Sequence, residues 1–201
     1  MQRIEEFLEV TKDRAPRETL VEALGLDWTV GDALDLGCGA GCDTSGMLAQ
    51  GCAVTAVDVY PKSIQRTRER AEREGTRAKL TTIEYSFAAL TFVPERFHLI
   101  NAAFSLPFCH PSKFEELWSS IIDWLAPGGL LVCQLFGDRD EWAAERSDTM
   151  NFHSRERVDQ LVAPLEVIKL EEEEKDGETS LGTPKHWHLF HCILRKEGSR
   201  E

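Results

Sequence analysis

Along the chain the apolar positions alternate between a spacing of three to four residues and short unbroken runs, a pattern that predicts an α/β layout. Ile4, Phe7 and Leu8 fall at helical spacing and predict a short N-terminal helix, which Pro16 interrupts; residues 19–24 form a second helical piece closed by Gly25. Residues 32–36 are a brief apolar run ending in Gly37-Cys38-Gly39-Ala40-Gly41, and a helix over about 43–50 follows, with Asp43 or Thr44 as its cap. Residues 52–57 predict a strand that ends at Asp58, and Pro61 opens a long charged helix to about residue 74. A weaker strand over 80–84 precedes a stronger one over 97–104, nearly continuous in apolar character, as a strand covered on both faces should be. Phe114, Leu117, Trp118, Ile121, Ile122 and Leu125 keep helical spacing; Pro127-Gly128-Gly129 ends that helix, and residues 130–136 form another buried strand.

Strand and helix alternate to this point, which predicts a parallel sheet with crossover connections. The end of the chain differs. After a short helix over 154–162, strands over 166–173 and 186–194 are separated only by the turn-rich residues 175–184, so they must be antiparallel neighbours. The expected architecture is a single domain over 1–201. It has an N-terminal helical segment (1–31), a first half (32–136), a second half with the hairpin (137–196) and a tail (197–201).

Composition narrows the class. Hydrophobic residues make up 42% and charged residues 29% of the 201, an ordinary globular balance. No apolar run approaches the roughly 20 residues needed to span a bilayer, and the first residues show no signal-peptide pattern. A cytoplasmic protein with no membrane partner is expected. Cys38, Cys42, Cys52, Cys109, Cys133 and Cys192 contain no CxxC pair and lie mostly in apolar runs, as reduced buried thiols do. The net charge of −12 argues against a nucleic-acid partner.

The strongest chemical signal is the glycine loop. Gly37, Gly39 and Gly41 allow a sharp turn and a close ligand approach, and the helix that follows points its free N–H groups into the same crevice. Asp58 ends the next strand, where a carboxylate can accept both hydroxyls of a ribose. A nicotinamide fingerprint would need a third glycine at position 42, which is Cys42, and no P-loop Gly-Lys-Ser/Thr is present.

At these residues the chain resembles the class I S-adenosylmethionine-dependent methyltransferases, in the branch of the tellurite-resistance methyltransferases. DLGCGAG (35–41), AVDVYPKSI (56–64), LINAAFSLPFC (99–109) and LAPGGLLVCQLFG (125–137) resemble successive motifs of that family. The resemblance implies a Rossmann-like seven-stranded, mostly parallel sheet of order 3-2-1-4-5-7-6 with helices on both faces and an antiparallel C-terminal β-hairpin. It implies S-adenosylmethionine as methyl donor and S-adenosylhomocysteine as product. Asp35, Gly37, Cys38, Gly39 and Gly41 would hold the methionine end, with Arg17 as a clamp for its carboxylate. Asp58 and Val59 would take the ribose, and Asn101 and Ala102 would line the end of the fourth strand. Many members carry an aspartate after the third strand for the adenine; here Ser86 and Phe87 stand in that region, and the adenine contact is open.

A small-molecule acceptor would lie just past the strand ends, against Phe104, Ser105 and His110 after the fourth strand and Phe136, Asp138 and Trp142 after the fifth; Phe108 is expected in the core. His110 and Ser105 are the candidate catalytic groups, His110 as a base, although methyl transfer from a sulfonium mainly needs alignment and exclusion of water. On a strand His186 and His188 share one face and His191 points to the other, which is not a metal site. Two other readings stay open: a nicotinamide-dependent oxidoreductase, and a silent S-adenosylmethionine-binding module.

Overall fold

In the computed structural model, which describes residues 2–198, seven strands form one sheet. They are β1 (Asp32–Leu36), β2 (Ala53–Asp58), β3 (Leu80–Glu84), β4 (Phe97–Ala102), β5 (Leu125–Phe136), β6 (Glu166–Glu178) and β7 (Pro184–Arg195), in the order β3-β2-β1-β4-β5-β7-β6. The first five pair in parallel, and β7 runs antiparallel to both β5 and β6. Both the order and the antiparallel ending follow the expectation from the sequence. Seven helices accompany the strands: α1 (Gln2–Thr11), α2 (Glu18–Leu24), α3 (Cys42–Ala49), α4 (Pro61–Arg73), α5 (Pro111–Trp124), the single turn α6 (Ala143–Arg146) and α7 (Arg155–Val162).

Alternate residues of the central strands feed two cores, because successive side chains point to opposite faces of a sheet. On one face Ala33, Val54, Ala56, Leu99, Leu130 and Val132 pack against Leu20 and Ala23 of α2, Met47 and Leu48 of α3, and Ile64 and Ala71 of α4. On the other, Leu34, Ile100, Leu131, Cys133 and Phe190 pack against Phe114, Trp118 and Ile121 of α5 and Val158 and Leu161 of α7. A third, aromatic cluster sits past the carboxyl end of β5, with Phe136, Met150 and Leu189 at its centre.

Several boundaries shift. Pro127-Gly128-Gly129 does not follow the helix but lies inside β5: α5 ends at Trp124, and Gly128 and Lys196 close the strand's start by Gly128 N–H to Lys196 C=O and Lys196 N–H to Gly129 C=O, both 2.9 Å. Strand β4 stops at Ala102, since Phe104 takes a φ of 55°, a left-handed conformation that breaks an extended run. The hairpin is longer than its sequence pattern: pairs such as Glu174↔His188 and Glu178↔Pro184 extend the ladder through residues with no apolar alternation, because cross-strand charge pairing replaces burial there. Neither Asp43 nor Thr44 caps α3. Gly41 holds that position at φ 80°, and both side chains turn inward.

The six cysteines are free, five of them buried. No helix among the described residues is long and apolar enough to cross a membrane.

His110 starts α5: its Nδ1 accepts the Ser112 N–H at 3.2 Å, the contact that satisfies an otherwise orphaned helix donor. Replacing it with alanine (H110A) is therefore expected to lower unfolding stability by about 1 kcal/mol in denaturant titration. An unchanged midpoint would remove the capping role.

Candidate functional site

The crevice lies where the order of the sheet reverses, between the carboxyl ends of β1 and β4. Open α/β sheets take ligands at such a point because the crossovers leave in opposite directions. Its rim is the glycine loop. Gly37 N–H and Cys38 N–H donate to Val57 C=O at 2.8 and 3.0 Å, and Gly39 N–H donates to Asp58 Oδ2 at 3.0 Å. The other carboxylate oxygen of Asp58 accepts the Tyr60 N–H at 2.9 Å, so one side chain holds both the loop after β1 and the turn after β2. Burial pushes Asp58 up from the usual carboxylate range, and these backbone donors pull it back.

The three loop glycines play different parts. A Cβ at Gly37 would stand 2.6 Å from Ser105 Cβ, and one at Gly41 would stand 2.9 Å from Thr67 Cα, so these two pack backbone against neighbours. A Cβ at Gly39 would meet only the Phe7 ring edge of α1, at 3.9 Å; that position opens onto the crevice.

Behind the loop lies a chain of buried polar groups. Asp35, 1% exposed, accepts the Thr44 hydroxyl at 2.5 Å and Asn101 Nδ2 at 2.9 Å. Asn101 Nδ2 also lies 3.5 Å from Asp43 Oδ2, and Asp43 Oδ1 accepts the Arg17 N–H at 2.8 Å. The Arg17 guanidinium lies 3.8 Å from Asp43 and 4.4 Å over the Phe104 ring, so the left-handed turn at Phe104 presents an aromatic platform to it. Asn101 Oδ1, Ser105 Oγ and Gln134 Oε1 are buried there with no partner among the described residues. These groups leave hydrogen-bonding capacity free beside the crevice.

The other residues named from the sequence divide. Cys38 is buried with Thr67 Oγ1 at 3.4 Å from its sulfur, and Ala102 is buried in the α5-side core. Val59 is exposed beside Asp58, as are Tyr60 and Tyr85. Ser86 is exposed, whereas Phe87 packs against the α5-side core; Tyr85, whose N–H donates to Asp58 C=O, carries the exposed ring in this region. Ile4 and Glu5 of α1 face Tyr60, Pro61, Lys62 and Gln65 across a cleft of about 280 Å³. On the acceptor side Phe108, expected in the core, is 55% exposed because its short 3₁₀ turn lifts it out of the sheet. Phe136 is the reverse, 1% exposed at the centre of the aromatic cluster, and Asp138 is exposed on the loop beyond it. Trp142 packs 6.1 Å from Phe136 and forms, with Trp187, a cage around the Lys185 ammonium, 4.5 and 3.8 Å from the two ring centres. Lys185 is paired with buried Asp140 at 2.5 Å, which pins the loop after β5 to β7.

Arg17, Asp43, Thr44, Gln134 and His191 meet around the crevice although only Arg17 was singled out for the site. Gln134 carries a legible signal, a lone polar residue inside the apolar run 130–136.

The sheet order, with its glycine loop and acidic strand end, is that of the Rossmann-like methyltransferase fold. Residues 33–129 match the family described as a methyltransferase domain. Among solved structures, TehB from Haemophilus influenzae superimposes with a TM-score of 0.77 at 18% identity, covering 90% of this chain and 62% of that one. NodS, an N-methyltransferase from Bradyrhizobium japonicum solved with S-adenosyl-L-homocysteine, gives 0.70 at 21% identity and covers 97% of both chains. A carboxy-S-adenosyl-L-methionine synthase of Erwinia tasmaniensis is 35% identical over 103 residues. That match takes in 49% of this chain and 41% of the relative's length.

Burial and the neighbouring Asp43 carboxylate push Asp35 up to about 7, against hydrogen bonds from Thr44 and Asn101. Between its ordinary value of 3.8 and about 7 the folded chain holds a proton there that the unfolded chain has released, so this group weakens stability as pH rises through the window. The melting temperature of D35N relative to wild type is therefore expected to rise steadily from pH 4 to pH 7 in the ligand-free protein. A difference that stays flat over that range would mean that Asp35 titrates normally.

Proposed function

We propose that this chain transfers a methyl group from S-adenosylmethionine to a small-molecule acceptor. The observation that carries the reading is the crevice itself. A glycine loop, open at Gly39, is tied through its N–H to the carboxylate that ends β2, at the point where the sheet order reverses.

The residues present fit this donor. Asp58 has carboxylate lone pairs left for ribose hydroxyls beyond the two backbone donors it accepts. Asp35, Asp43 and Asn101 Oδ1 supply negative charge and an unpaired acceptor, which suits a ligand carrying a cationic sulfur and an ammonium group. Arg17 stands at the same end as the fork for its carboxylate. Tyr85, Val59 and Tyr60 expose the apolar surface on which a flat base can lie. When bound, this donor supplies an electrophilic methyl group on sulfur.

The chain's own contribution is then alignment and exclusion of water, since the leaving thioether departs neutral and needs no proton. Phe104 and Ser105 sit between the donor loop and the acceptor side, Ser105 against Gly37 itself. A small acceptor suits the site because the acceptor side is walled by Phe104, Phe108 and Trp142 rather than by an open basic surface. NodS, solved with S-adenosyl-L-homocysteine, supports the donor class.

Isothermal titration with S-adenosylhomocysteine, run beside NADH, tests the reading. Micromolar binding of the first alone is expected, and D58A should weaken it more than tenfold, since it removes charge-assisted hydrogen bonds worth about 1.5–3 kcal/mol. Binding of NADH in place of S-adenosylhomocysteine would overturn the class.

A further inference from the structure

We propose that His191 is the proton-accepting group of the acceptor pocket, that Glu173 positions it, and that the acceptor is a small flat molecule presenting a hydroxyl. This rests on the methyl-transfer reading above. Of the six histidines, His191 alone is half-buried at the mouth of the crevice. His110 is engaged in capping α5, and His188 is fully buried against Arg139 and Glu172. His153 lies against Phe114 on the opposite face of the sheet, and burial pushes it down to about 4. His186 is held between Asp176 and Glu174 on the hairpin, and His98 packs at the far end of the strands beside Gly31.

Register brings His191 to the site. It pairs directly with Gln134 of β5, whose Nε2 donates to Thr19 Oγ1 of α2 at 3.2 Å, so both side chains point to the α2 side, as Asp35 and Asn101 do. The ring of Phe104 meets the imidazole edge to face at 6.4 Å and carries Arg17 on its own face. Across β6, Glu173 Oε2 lies 3.3 Å from His191 Nε2. Glu173 is held ionised by Lys175, so it accepts an Nε2–H and fixes the tautomer with the Nδ1 lone pair free. Glu171 is paired opposite His191 in the ladder, and Gln134 Oε1 is a buried acceptor without a partner beside it. A hydroxyl entering over Phe104 therefore meets Nδ1, with Gln134 Oε1 buried behind it, and an aromatic wall that suits a flat apolar body.

The step balances. The acceptor's O–H bond breaks and its proton goes to His191 Nδ1. The oxygen's electron pair forms the new bond to the methyl carbon, while the pair of the S–CH₃ bond stays on sulfur. His191 then releases the proton to water. A correctly placed base of this kind contributes about 10²–10⁴-fold.

The test uses para-nitrophenol, whose phenolate is coloured, added at mildly acidic pH to the complex with S-adenosylhomocysteine. Wild-type protein is expected to show the phenolate band at a pH where the free probe is mostly protonated; H191N should lose it while binding S-adenosylhomocysteine as before. E173Q should show a weaker band at equal probe occupancy, the signature of a positioning role. In turnover with labelled S-adenosylmethionine and para-methylphenol, H191N should be at least about 100-fold slower. A phenolate band that persists in H191N overturns the base assignment, and a wild type that takes up S-adenosylhomocysteine but neither phenol overturns the acceptor class. Failure to bind S-adenosylhomocysteine would sink the donor reading instead.

Discussion

The arrangement depends on a buried carboxylate, Asp35, held where β1 gives way to the glycine loop. It accepts from Thr44 in the first turn of α3 and from Asn101 on β4, and through Asn101 it is linked to Asp43 and the start of α2. Four elements thus meet at a group that water does not reach. Burial and the neighbouring Asp43 carboxylate both raise the cost of charging Asp35. A cation beside it lowers that cost, and Arg17 stands on one side only. A donor of the kind proposed above, with a positive sulfur and an ammonium group, would stand on the other side, so the group that loosens the empty fold at neutral pH would favour a charged ligand.

The acceptor half is organised differently, by aromatic packing around a buried ion pair. Lys185 is desolvated by Trp142, Trp187 and Phe136, which lowers its basicity, and Asp140 restores part of the loss while accepting the backbone N–H groups of Trp142 and His188. This locks the loop after β5 onto β7. The antiparallel ladder from Leu130↔Arg195 to Phe136↔Leu189 sets the direction of β7 past β5 and places His191 opposite Gln134. The buried pair adds a tie between that ladder and the loop, one that breaks only at a high desolvation cost.

Much of the frame was legible along the chain. Apolar runs at 32–36, 52–57 and, as far as residue 102, at 97–104 corresponded to strands because those residues are mostly buried on both faces, and the short turn before residue 186 left no length for a crossover. Gly37, Gly39 and Asp58 were legible for a related reason: a turn after a strand and a carboxylate at the next strand's end are local devices. Boundaries set by competition were not. Pro127-Gly128-Gly129 carries every mark of a stop, yet pairing with Lys196, far away in sequence, draws it into β5. Asp43 has the composition of a helix cap, but Arg17 and Asn101 offered it better partners than its own helix did.

By itself, then, the sequence determined the order of the elements, the antiparallel ending, and a glycine loop with a carboxylate at the next strand's end, because each rests on residues near one another in the chain. Tertiary structure alone decided which polar groups face a common space. Cation–π stacking of Arg17 on Phe104 and the opposition of Gln134 and His191 depend on a single left-handed residue and on strand register. A shift of one residue in β7 would turn His191 to the opposite face of the sheet, since side chains alternate with a period of two. No local pattern encodes that choice; it is made by the packing of Phe190, Cys192 and Leu194 into the α5-side core.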